Sequence, residues 1–132
     1  MKLKTMNKFK AGVNKMNEQY FKLFSLIAHT GANIAEQVME QNKNEGKLKE
    51  YGTSKQMRDD YLELKAKMDN KEVPVEKDFS QLYIAAGLVV QQLEAKLAKD
   101  QLVVKAYRED MMPKLLECMK GGDINEIFTA EN

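Results

Sequence analysis

Between Met6 and Val38 the apolar residues fall at Met6, Phe9, Val13, Met16, Tyr20, Leu23, Ile27 and Ile34. Steps of three and four place them on one face of an α-helix, close to the heptad seam through which helices pack on each other. The spacing predicts a long N-terminal helix from about Thr5 to Lys43, roughly 55–60 Å at about 1.5 Å per residue. Its single weak step is Thr30–Gly31. The apolar rhythm stops near residues 42–46, where Asn, Lys, Glu and Gly take over.

The same periodicity recurs downstream. Met57, Tyr61, Leu64 and Met68 give a second helix, opened by Thr53 with Gln56 in the capping-box position, after one extra turn at Leu48 and Tyr51. Residues 69–75 read as a linker closed by Pro74. A third helix, capped by Asp78, carries Phe79, Tyr83, Ala86, Val90, Leu93 and Leu97. Its middle, from Leu82 to Val90, is almost wholly apolar and is expected to be buried on all sides. Asp100 breaks that seam and is read as the cap of a restart. Val104, Tyr107 and Met111 continue it until Pro113 forces a kink or a new first turn. Gly121–Gly122 is a helix stop. Asp123 and Glu126 then start a short last helix bearing Ile124, Ile127 and Phe128.

These segments predict an all-α, single-domain bundle of four to five helices over residues 1–132, with helices one and three as an antiparallel core. At 132 residues with two prolines, seven glycines and 31% charged residues, the chain supports one modest core. The formal net charge is only +1, so no global field attracts nucleic acid or anionic lipid. The ends differ: residues 1–16 hold five lysines and no acid, whereas residues 121–132 hold three acids and no base. One cysteine, Cys118, leaves no internal disulfide and suits a reducing compartment. No apolar run spans a membrane, and no secretory-signal pattern follows the basic start, so the cytoplasm is the expected location.

Catalytic patterns are weak. His29 is the only histidine and has no acid three or four residues away, so neither a Glu-x-x-His di-metal pair nor a usual zinc site is available. It is expected at the core or its boundary. Cys118, between Glu117 and Met119 with Leu116 near, reads as a buried filler rather than a nucleophile. Asp60 and Glu63 form an i,i+3 acidic pair of the kind that helical nucleotide hydrolases use for magnesium, and Glu36 with Glu40 is offset by four. A second properly spaced pair is missing, and lysines interleave the acids as on a solvated face. No catalytic residue, metal ligand or cofactor is therefore assigned. Residues 27–31 depart from the helix-turn-helix turn, which wants alanine where Ile27 stands. With 19 Lys and two Arg, base readout is poorly served as well.

Binding features stand out more. Lys2, Lys4, Lys8, Lys10 and Lys15 surround Leu3, Met6, Phe9 and Val13, a basic amphipathic start suited to an acidic protein groove, to phosphates or to an anionic membrane. Tyr20, Phe21, Leu23, Phe24, Leu26 and Ile27 form a stripe wider than one neighbouring helix needs. The expected function is a non-catalytic protein-binding module, an adaptor, inhibitor or assembly subunit. It would act through Lys2, Lys4, Lys8, Lys10, Lys15, Phe9, Tyr20, Phe21 and Phe24, with a homodimer along the first helix as a natural accompaniment. The alternative is a nucleic-acid-backbone-binding small subunit of a ribonucleoprotein or replication complex, using the same lysines. A metal-dependent nucleotide hydrolase ranks third. Small subunits of CRISPR effector complexes, secretion chaperones and phage accessory proteins share this size and helicity, but no motif selects among them.

Overall fold

Why the apolar seam stays helical through its weak step is plain from what it meets. A computed structural model of the protein describes residues 18–97 and 101–128. Among these, α1 runs unbroken over Glu18–Asn44, 27 residues and thus about 40 Å. At Gly31 the helices approach closely: a Cβ there would sit 3.1 Å from Ala85 Cβ and 3.2 Å from the Tyr61 ring. The missing side chain lets three helices meet. The Thr30 hydroxyl donates back to the Leu26 carbonyl at 2.9 Å, so no turn of a helix-turn-helix exists. The expected start near Thr5 lies outside the described residues.

Gly46, at φ 72°, ends α1. The Lys47 N–H reaches the Asn42 carbonyl and the Gly46 N–H the Lys43 carbonyl, a Schellman closure. α2 (Leu48–Asp69) then starts five residues before Thr53. The expected cap at Thr53 is therefore corrected: its hydroxyl donates to the Lys49 carbonyl from inside the helix, and Gly52 interrupts nothing. A second Schellman closure ends α2, with Lys71 at φ 59° where glycine would be relaxed.

α3 spans Glu76–Lys96. Asp78 is not its N-cap but lies within the first turn, where its carboxylate accepts the Val75 N–H at 3.0 Å and meets Lys67 Nζ at 3.4 Å. The restart at Asp100 falls outside the described residues. α4 (Leu102–Lys105) leads into a π-helical stretch, Ala106–Met111, and α5, Met112–Met119. The Met112 N–H bonds the Tyr107 carbonyl five residues back. Pro113 offers no N–H and crowds the turn before it, and the widened π turns absorb that mismatch. Gly121, φ 94°, closes α5, and α6 (Ile124–Ile127) follows with Asp123 O accepting its first amides.

These elements form an all-α helical bundle without a strand among the described residues. α1 and α2 are an antiparallel hairpin, registered by Lys71–Glu18, Ser25–Asp69 and Asn42–Ser54. α3 packs on α1 with Phe24 against Phe79 and Gly31 against Ala85, so the two run parallel. That corrects the antiparallel expectation: two short connections make the order up, down, up. The chain after Leu102 returns antiparallel to α3, with Arg108 beside Glu94 and Gly121 near Glu76. The core extends over Phe21–Ala35 of α1, Tyr61–Met68 of α2, Phe79–Ala86 of α3, and Met111, Leu115, Cys118 and Phe128. At one end Phe128 meets Phe24 edge-on at 5.1 Å, stacks on Phe79 at 6.1 Å and takes Tyr20 at 4.9 Å. Such contacts add about 0.5–1.5 kcal/mol each beyond area burial.

Candidate functional site

The middle of α3 does not bury its whole circumference, contrary to expectation. Ala85, Ala86 and Val89 face inward, but Ile84 is 53% exposed and Gly87 and Leu88 are half-buried. α1 covers one side of α3 and the returning chain a second, which leaves the rest to solvent.

Between α3 and the returning chain lies an open groove of about 470 Å³. Tyr83, Gly87, Val90 and Gln91 form one wall, and Arg108, Met112, Pro113 and Leu116 the other. Gly87 gives it depth, since a Cβ there would meet only Met112 Cε, at 3.7 Å. The sole charged lining residue, Arg108, is paired with the half-buried Glu94. Tyr107, next to this wall, is pushed above its ordinary pKa by burial and stays a neutral phenol. A mostly apolar trough between two helices suits the apolar face of a third.

The other sequence candidates are dispersed. Lys2, Lys4, Lys8, Lys10, Lys15 and Phe9 lie outside the described residues. Phe24 is fully buried and Phe21 almost so, and Tyr20 is half-buried against Phe128. Of the stripe from Tyr20 to Ile27, Leu26 is the apolar residue that reaches solvent, at 54%. The stripe is wide because α1 faces α2, α3 and Phe128 together.

His29 is exposed rather than at the core, with its Nε2 3.3 Å from Asn33 Nδ2. Seam residues Phe24, Ile27, Ala28 and Gly31 turn inward, which sends position 29 outward. Cys118 is buried, and desolvation, then Glu117 and Asp123, push its thiol up to about 12. Asp60 and Glu63 line a cleft of about 40 Å³ with Lys67, Lys77, Asp78 and Gln81, room for a few water molecules. Asp60 accepts a hydrogen bond from Gln56 Nε2 at 2.9 Å, and Lys67 reaches Asp78. Among the described residues no three His, Cys, Asp or Glu side chains gather in an arrangement for a metal ion. No described helix is long and apolar enough to cross a membrane.

The groove was missed in the sequence because its residues belong to two segments about twenty-five positions apart. Two local signals pointed at it: a glycine inside an otherwise apolar helix, and a proline inside a helical seam. The protein's class is thus an all-α helical bundle. No family model matches the chain, and no curated protein or solved structure matches it either.

Proposed function

We propose that the protein is a non-catalytic binding module that seats an amphipathic helix of another protein in the groove between α3 and α5. The observation that carries this reading is the groove itself: mostly apolar, open to solvent, deepened by Gly87 and with its one charged residue paired. An adaptor, inhibitor or assembly subunit needs no more than such a surface on a rigid support. The basic segment with Lys2, Lys4, Lys8, Lys10 and Lys15 is proposed as a second contact, and a homodimer through the first helix as an accompanying state. A cytoplasmic location rests on the lone, buried Cys118.

The test is a tagged pull-down from the native cell, with and without nuclease, using the wild type and Gly87→Arg. A Cβ at position 87 meets only the flexible end of Met112, so a long charged side chain can be introduced there, at the wall of the trough. A stoichiometric protein that survives nuclease and is lost from Gly87→Arg, with an unchanged thermal melt, supports the proposal. Retention on Gly87→Arg overturns the groove reading. Recovery of nucleic acid alone, in a nuclease-sensitive form, favours backbone binding by the lysines. Five phosphate contacts would then weaken several-hundred-fold or more from low to physiological salt, about one decade per contact for each decade of salt.

A further inference from the structure

We draw no further inference here: the strongest candidate, the exposed apolar side chains of Val38, Leu48 and Met57 on the distal half of the α1–α2 hairpin, carries nothing, because nothing in the structure shows what covers them.

Discussion

The two halves of the α1–α2 hairpin are built from the same two helices and held by different physics. In the proximal half Phe21, Phe24, Ile27 and Ala28 of α1 face Leu64 and Met68 of α2, with α3 and Phe128 closing the cluster. In the distal half, between positions 36 and 60, Met39 and Ser54 are the buried side chains. The helices there are tied by Asn42 Nδ2, which donates to Ser54 Oγ at 3.0 Å, while that hydroxyl donates to the Glu50 carbonyl at 2.8 Å. A buried neutral hydrogen bond contributes about 1 kcal/mol, whereas one buried aromatic contributes several. Stability is therefore concentrated where three helices and Phe128 meet. The distal half is a two-helix extension with few buried side chains of its own.

Breaking the base should do the most damage. Phe24→Ala removes a fully buried ring with edge contacts to Phe79 and Phe128, and should cost about 3–5 kcal/mol in urea denaturation. Gly31→Val comes next. Its Cβ already falls within 3.1 Å of Ala85 Cβ and 3.2 Å of Tyr61, so overpacking should cost about 1–3 kcal/mol. The matched distal glycine should respond with the opposite sign. Gly52 is helical with nothing within 4 Å of a built Cβ, and Gly52→Ala should stabilise by up to about 1 kcal/mol. A cost at Gly52 instead would mean that the distal half is packed against something.

The smallest effect concerns charge at the proximal end. Hydrogen bonds from Lys65 and then Ser25 hold the Asp69 carboxyl below its ordinary range. A depressed folded pKa means that the contribution is present above the unfolded value of about 4 and is lost as pH falls through the lower folded value. Asp69→Asn should therefore lower the melting temperature slightly at pH 7, an effect that fades as the pH falls through the lowered folded value. Because the pair is exposed, a large pH-dependent loss would contradict the assignment of stability to apolar contacts.

Much of this architecture was legible in the sequence, and the failures have specific causes. Seams of three and four residues announced α1, α2 and α3, because helical periodicity is a local property that burial reinforces. Gly121 and Pro74 marked boundaries through backbone geometry alone. Thr53–Gln56 imitated a helix start, since a hydroxyl that can cap an amide can equally bond the carbonyl four residues back, as Thr53 does. The helix starts three residues earlier than a cap at Asp78 implies, because a carboxylate at the third helical position bonds back to the amide of the N-cap residue, here Val75, as one half of a capping box. Gly31 looked like a flaw from one helix and is a crossing point once Tyr61 and Ala85 are beside it. The groove and the parallel pairing of α1 with α3 depend on contacts between distant segments, which no local spacing encodes.

Native-state hydrogen exchange, read amide by amide, tests the contrast between the two halves most directly. Amides of α1 beyond Ala35 and of α2 before Tyr61 should exchange through openings of lower free energy than those near Phe24, Leu64 and Phe79, and should do so without global unfolding. Equal protection of both halves at the global free energy would contradict the account, and would show that the distal hairpin is held as firmly as the aromatic base.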